Sequence, residues 1–365
     1  MSELISVGGY GCVYKPSIDC SGDSTLNMKK ISKLQVDNES SRNEITISSK
    51  LKKYPQFFVV PTKHCKIKKN KIKKQDCPLT QKAEHLFIIE MNYVPNKSFF
   101  DILVEDESLE RQIYILLFNY SALLKSLDIL RKHHIIHFDL KLDNILYDII
   151  DEYPKILDFG ISLDTKKISL THLKKTFWIY APWYYVWCPD IHFMCYLMNV
   201  DSNINLSTIE KIVRECIEKN EILALMDKKY LVEYELAYVK HLSKYIGMSV
   251  KDIAKDILRY SANWDVYSLG LIFIKLSKFI TTKNKIKHPF FDFFMDILKI
   301  NIQPDHAKQL CEKDILTLLY DYIHSGKIKT PKKNKGFTPK YVDSIKKFHK
   351  EHWSLLELQL LSAKK

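Results

Sequence analysis

The chain has 365 residues, 46% of them hydrophobic, and a formal net charge of +13. That length admits one large domain with additions, and that apolar share can bury a substantial core, which excludes a disordered or low-complexity chain. Arginine is confined to Arg42, Arg111, Arg131, Arg214 and Arg259, so lysine carries the charge. A basic surface favours acidic partners, but without clustered arginines or a nucleic-acid motif no nucleic-acid function is expected. Eight cysteines without a Cys-x-x-Cys pair argue against a zinc site or a disulfide framework and for a reducing compartment. The spacing of His64, Cys65, Cys77 and His85 fits no standard metal pattern either. No apolar run follows a basic N-terminal start and no stretch approaches a membrane span, so an intracellular protein off the membrane is expected.

In chain order, Ile5-Ser6-Val7-Gly8-Gly9-Tyr10-Gly11-Cys12-Val13-Tyr14-Lys15 predicts two strands joined by a glycine-rich turn. Met28-Lys29-Lys30-Ile31-Ser32-Lys33-Leu34 predicts a third strand, whose alternate side chains share a face. Glu39 to Leu51 can form a helix with Ile47 and Leu51 inward. The lysine-dense run Lys63 to Lys74 is expected to be a solvated connection. Leu86-Phe87-Ile88-Ile89-Glu90-Met91-Asn92-Tyr93-Val94-Pro95 predicts a buried strand with an exit turn. From Glu110 to His134 the residues Ile113, Leu116, Leu117, Tyr120, Leu123, Leu124, Leu127 and Leu130 recur at helical spacing and predict a long core helix.

The most informative stretch comes next. His137-Phe138-Asp139-Leu140-Lys141-Leu142-Asp143-Asn144 reads H-x-D-x-K-x-x-N. An aspartate there can orient the proton of an attacking hydroxyl, the lysine can neutralise charge on a moving phosphoryl group, and the asparagine offers an amide oxygen to Mg²⁺. Fourteen residues after Asn144, Ile156-Leu157-Asp158-Phe159-Gly160 ends an apolar run in Asp-Phe-Gly, reached through a first strand of Ile145, Leu146 and Tyr147. Mg²⁺ prefers oxygen ligands and keeps much of its water, so one carboxylate, one amide and substrate phosphates suffice.

On these elements the chain resembles eukaryotic-type Ser/Thr protein kinases. The Gly8-Gly9-Tyr10-Gly11-Cys12-Val13-Tyr14 start and the Ile31-Ser32-Lys33-Leu34 strand are most similar to kinases of large nucleocytoplasmic DNA viruses. The resemblance implies an α+β, two-lobed fold with a small β-rich N-lobe carrying one main helix and a large, mainly helical C-lobe. It implies boundaries near 1–94 and 95–328, with a helical insertion at about 191–260 and a basic helical extension at 329–365. ATP and Mg²⁺ would be the cofactors, with Mn²⁺ as a substitute. The loop from Ile5 would cover the phosphates, Gly8 and Gly11 matching the second and third glycines, Gly9 beside them, and Ser6 standing where the first glycine is expected; Val13 would sit on the adenine. Lys29, Lys30 and Lys33 are all candidates for the phosphate-anchoring lysine, and the I-S-K-L pattern favours Lys33. Its partner would be Glu44, with Glu39 as the alternative. Met91 would be the gatekeeper, Asn92 and Val94 would present backbone groups to adenine, and Leu146 would close the pocket from below. Asp139 would orient the nucleophile, Lys141 would steady the phosphoryl group, and Asn144 and Asp158 would hold the metal.

Departures carry information. Most kinases regulated by loop phosphorylation have arginine where this chain has Phe138, so activity independent of activation-loop phosphorylation is expected. Lys141 follows the Ser/Thr pattern, and Thr176 is the candidate threonine for bonding Asp139. Ala181-Pro182-Trp183 and Cys188-Pro189-Asp190 both echo A-P-E; the second is preferred because Asp190 keeps a carboxylate, although no arginine follows Arg259 to anchor it. Trp264-Asp265-Val266-Tyr267-Ser268-Leu269-Gly270 matches the buried D-V-W-S-L-G helix, with Asp265 bonding backbone near His137. The insertion contains helix-like stretches at Thr208 to Glu218 and Val250 to Arg259 and either guides a substrate, binds a partner or merely packs on the lobe. Helical pattern continues through Asp314 to Ile323 and again at Tyr341 to Leu361. Protein substrates, acidic ones favoured, and a location in host cytoplasm or a virion are the resulting expectations; oligomeric state is left open. The rival readings are a pseudokinase scaffold, disfavoured by acceptable residues at every catalytic position, and a small-molecule kinase of the aminoglycoside or choline type, disfavoured by Lys141 and the D-V-Y-S-L-G helix.

Overall fold

The computed structural model describes residues 2–8, 11–72, 77–81, 83–105, 108–283, 286–305, 309, 313–315, 317–318 and 321. One compact unit runs Met1–Leu318; of the second, Leu319–Lys365, only Asp321 is among the described residues. The expected basic extension with its helix at Tyr341 to Leu361 therefore lies outside them, as do Gly9 and Tyr10.

The N-terminal part is an antiparallel sheet of β1 (Glu3–Val7), β2 (Gly11–Lys15), β3 (Lys30–Val36), β4 (Pro61–Lys68) and β5 (His85–Asn92), in the order β1-β2-β3-β5-β4. Register divides its two faces. Leu34 lies opposite Cys12 and Ile88, and these join Tyr14, Ile18, Ile67, Ile72 and Leu86 in one apolar cluster. Lys33 lies opposite Val13 and Ile89, and Ile31 opposite Met91, so these side chains share the other face. Helix α1 (Glu39–Leu51) starts in a capping box between Asn38 and Ser41. Its buried residues Ser41, Glu44, Ile47, Ser48 and Leu51 recur at the spacing of one helical face, which places Glu44 inside.

Two disulfides correct the expectation of a chain without them. Cys12 on β2 joins Cys77, and Cys20 joins Cys65 on β4. The partners are 65 and 45 residues apart, so sequence spacing could not reveal pairs that only the folded sheet brings together. Among the described residues, Cys188, Cys195 and Cys216 are buried thiols.

Beyond β5 the chain forms β6 (Asn96–Lys97), α2 (Phe99–Glu105), α3 (Leu109–Lys132), β7 (Ile135–Ile136), β8 (Ile145–Asp148), β9 (Tyr153–Ile156) and β10 (Leu163–Asp164). Helix α3 is apolar and long enough to cross a membrane, but 67% of its most apolar window is buried, as the core helix of a lobe would be. Of its predicted apolar stripe, Ile113, Leu116, Tyr120, Leu123, Leu124, Leu127 and Leu130 are buried, while Leu117 is half-buried. Strands β8 and β9 form a hairpin beside β6, and β10 pairs with β7. Then follow α4 (Leu173–Thr176), α5 (Pro189–Asn199), α6 (Leu206–Glu218), α7 (Lys228–Ser243), α8 (Val250–Leu258), α9 (Trp264–Lys283) and α10 (Pro289–Ile302). The expected helices of the insertion are α6 and α8; α5 and α7 accompany them. Each buries a face, with Ile209, Ile212 and Val213 on α6, Tyr234, Tyr238 and Leu242 on α7, and Ile253 and Ile257 on α8. On α9, a side chain at Gly270 would meet Ile302 at 2.9 Å, so glycine there lets α10 pack against the helix.

Closing loops of this length stabilises a folded domain by about 2–4 kcal/mol per disulfide. Cys77→Ser, or reduction of the wild-type protein, is therefore expected to lower the melting temperature by several degrees in calorimetry. An unchanged Tm would show that the pairing contributes nothing.

Candidate active site

The glycine-rich turn closes through a hydrogen bond from Gly8 N–H to Gly11 C=O at 2.9 Å. Gly11 answers to packing: a Cβ there would sit 2.6 Å from the Leu34 carbonyl, so β2 can approach β3 only without one. Ile5 and Val7 are exposed on β1, and Ser6 pairs across the sheet with Val13.

Below this turn, Lys33 Nζ donates to Glu44 Oε2 at 2.9 Å and lies 3.2 Å from Asp158 Oδ2. Lys30 instead meets Thr62 at 3.0 Å and Glu90 at 3.6 Å, on the sheet's other face. The strand's alternation thus brings Lys33, and not Lys30, to the cleft. Burial alone would depress the Lys33 ammonium, but the carboxylates of Glu44 and Asp158 outweigh it and raise its pKa. Burial drives the Glu44 carboxyl up, against the pull of Lys33. The Asp158 carboxyl is also pressed upward by burial, yet the Lys33 ammonium dominates the sum of its partners and holds it below its ordinary value, ionised. Gln35 Nε2 adds a bond to Glu44 Oε2. The neighbouring Asn43 Nδ2 donates to the carbonyls of Phe159, Gly160 and Ser162, tying α1 to the Asp158-Phe159-Gly160 segment. Gly160 permits that contact, because a Cβ would lie 2.6 Å from Ser40 Oγ.

The strand β5 ends with Met91 buried and Asn92 exposed. Val94 C=O accepts from Asn96 Nδ2 at 2.8 Å, so a contact from Val94 to a ligand in the cleft would use its N–H. Leu146 is half-buried on β8.

The His137–Asn144 loop is fixed from beneath. Asp265, at the start of α9, accepts the N–H of His137 at 2.7 Å and that of Phe138 at 3.0 Å. Burial pushes its carboxyl up, against those two bonds, which favour the ionised form. Phe138 holds a φ of 68°, a conformation that a bulky side chain adopts only when its surroundings impose it. Here they do: Trp187 Nε1 donates to Phe138 C=O at 2.9 Å, and the Phe138 ring packs among Trp178, Trp187 and Trp264. His137 accepts from Asp139 N–H through Nδ1, which leaves Nε2 to donate to Leu157 C=O at 2.9 Å and sets its tautomer. Above, Asp139 is buried, and Lys141 Nζ lies 3.0 Å from Oδ1 and 3.1 Å from Oδ2. Asn144 Nδ2 donates to Asp139 C=O at 2.8 Å and to Oδ2 at 3.0 Å.

Residues 1–184 match the protein kinase domain. The chain belongs to the protein kinase family. Within it, 78 residues are 35% identical to serine/threonine-protein kinase 1 of Lymantria dispar multicapsid nuclear polyhedrosis virus, over 21% of this chain and 27% of that protein's length. The kinase is thus of the eukaryotic type and resembles viral kinases.

The residues present fit a Mg²⁺ ion. Asp158 is ionised, and because the Asn144 amide nitrogen is committed to Asp139, its oxygen is the atom left to face a metal. Among the described residues no group of three or more His, Cys, Asp or Glu side chains forms a metal cluster.

Two further expectations resolve differently. Thr176 is buried in α4, and the hydroxyl that reaches Asp139 is that of Tyr184. Asp190 opens α5, fully buried, and its Oδ1 meets His241 Nε2 of α7 at 3.0 Å, so the carboxylate that no downstream arginine can reach has a histidine partner in its place. His241 had a legible signal, since Tyr234, Tyr238 and His241 recur at the spacing of one helix face. Asn43 and Gln35 had a weaker one, as polar residues beside inward positions. Tyr184 had none.

Asp265→Asn would oppose an amide donor to one of the two buried N–H groups, and is expected to cost about 1–3 kcal/mol of stability in urea denaturation. Phosphoryl transfer should fall with it. An unaltered denaturation midpoint would mean that the loop is held by other contacts.

Proposed function

We propose that this kinase transfers the γ-phosphate of Mg-ATP to serine or threonine hydroxyls of protein substrates. The observation that carries the reading is that two clusters, Lys33 with Glu44 and Asp158 and Asp139 with Lys141 and Asn144, sit on directly bonded segments: Leu157 N–H donates to Asn144 C=O at 3.1 Å, and His137 Nε2 donates to Leu157 C=O at 2.9 Å. In this reading the lysine–glutamate pair anchors the ATP phosphates, and Asp158 and Asn144 would hold Mg²⁺, with Mn²⁺ as a substitute, which would supply positive charge against the phosphates. Asp139 orients the incoming hydroxyl and takes up its proton, while Lys141 balances charge on the transferred group. Positioning and charge neutralisation do the work, with no covalent enzyme intermediate. Lys141, two residues after Asp139, supports the Ser/Thr acceptor class, as does the name of the viral relative.

Exposed Lys166, Lys167, Lys174 and Lys175 line the segment leading from Asp158 toward Tyr184, which supports acidic substrates. The proposed small N-terminal lobe is 1–94 and the proposed helical lobe 95–328; of host cytoplasm and virion, the two locations proposed, the disulfides favour the virion, because a reducing compartment would open them.

Asp139→Asn is expected to keep ATP binding, measured by calorimetry, and to lose transfer to casein by about 10²–10⁴-fold. Comparable turnover in that variant would refute the assigned role.

The reading includes activity without activation-loop phosphorylation. An arginine at position 138 could pair with a phosphorylated residue, but a phenylalanine caged by three tryptophans cannot. Active enzyme treated with phosphatase should therefore retain its turnover, and its loss would count against this reading.

A further inference from the structure

Asp139 has two carboxylate oxygens and so about four lone-pair sites. Contacts from the protein occupy all of them. Lys141 Nζ reaches both oxygens, Asn144 Nδ2 donates to Oδ2, and the Tyr184 hydroxyl donates to Oδ1. Lys141 and Asn144 belong to the same loop as Asp139, whereas Tyr184 arrives from the segment before α5. A substrate hydroxyl must give its proton to this same carboxylate.

We infer that Tyr184 occupies the acceptor-hydroxyl position, so that a protein substrate reaches Asp139 only by displacing the phenol. The inference rests on the reading of Asp139 as the group that orients the acceptor. Tyr184 acts through Asp139 and sets which acceptors enter.

The geometry makes the displacement a side-chain movement. The backbone is pinned in a turn, with Tyr184 N–H donating to Ala181 C=O at 2.8 Å and Trp187 N–H to Tyr184 C=O at 3.1 Å. The side chain is half-buried, its ring edge-on to Trp187 at 4.9 Å and 5.8 Å from Lys141 Nζ. Rotation of the phenol exchanges one hydroxyl-to-carboxylate bond for another, because the substrate supplies an equivalent donor. What the substrate must overcome is the ring's packing. Acceptors that bind firmly on either side of the hydroxyl therefore open the site, and small hydroxylic molecules do not. This is also how a kinase cleft built for proteins can hold its carboxylate paired while empty of substrate.

Tyr184→Phe keeps the ring and removes the competing hydroxyl. If the phenol holds the subsite closed most of the time, apparent acceptor affinity is lowered by the fraction of open sites, and the variant should raise kcat/KM for dephosphorylated casein about three- to tenfold through KM. The KM for ATP serves as the internal reference. Tyr184→Ala, checked for an unchanged melting temperature, should act in the same direction. A fall in kcat at constant acceptor KM would make Tyr184 a positioning group for catalysis and overturn the inference, as would unchanged kinetics. Phosphate found on Tyr184 by mass spectrometry after incubation with Mg-ATP would make it an acceptor itself, and would likewise overturn it. If the wild-type protein transfers no phosphate to any protein, the kinase reading of Asp139 falls and takes this inference with it. If the wild type transfers and only the Tyr184 prediction fails, the kinase reading stands.

Discussion

The carboxylate of Asp265 holds two adjacent backbone N–H groups, and the geometry of the cleft follows from that grip. Without it, His137 and Phe138 would each carry a buried donor with nothing to bond, a penalty comparable to a large part of a domain's net stability. With it, the chain can turn through the unfavourable φ at Phe138, and Asp139, Lys141 and Asn144 emerge on one side of the loop. The three tryptophans around Phe138 complete the restraint by filling the space beneath. A buried anion is tolerated in α9 because both bonds it accepts are charge-assisted and come from a backbone that cannot move away.

The second centre, Lys33 with Glu44 and Asp158, joins the sheet, α1 and the Asp-Phe-Gly segment through one ammonium. Two carboxylates share a single lysine; Asp158, held ionised by it, keeps an anionic oxygen that would suit a divalent cation. Asn43 reinforces the connection by bonding three successive parts of the segment that carries Asp158. The helix is thus drawn inward by side chains on two adjacent residues, one ionic and one neutral. The two centres meet at His137, whose ring bonds the Leu157 carbonyl and packs on Phe159.

Around these shared features the supports are particular to this chain. The buried carboxylate of Asp190 finds a partner in His241 on α7, so α7 helps to hold the start of α5. The sheet is cross-linked by Cys12–Cys77 and Cys20–Cys65, which tie β2 and β4 to the connections around them. Both devices replace long-range packing with a small number of specific bonds.

Local chemistry was legible in the sequence wherever a residue's role depends on its immediate neighbours. Fixed spacing identified Asp139, Lys141, Asn144 and Asp158, because a loop only a few residues long carries its own geometry. Periodicity found α3 and its buried stripe, and α6 and α8 in part, because helical burial repeats along the chain. The strand pattern favoured Lys33 among three lysines of one strand, and in the fold Lys33 meets Glu44 while Lys30 meets Glu90. Contacts between distant segments were not legible. Cysteines 65 residues apart, a histidine replacing an arginine, and a tyrosine reaching Asp139 in place of Thr176 leave no local trace. Their partners are selected by three-dimensional proximity, which no spacing along the chain encodes. By itself the sequence determined a two-lobed kinase and most of the groups at its cleft; the tertiary structure decided how those groups are held and which hydroxyl stands against the carboxylate.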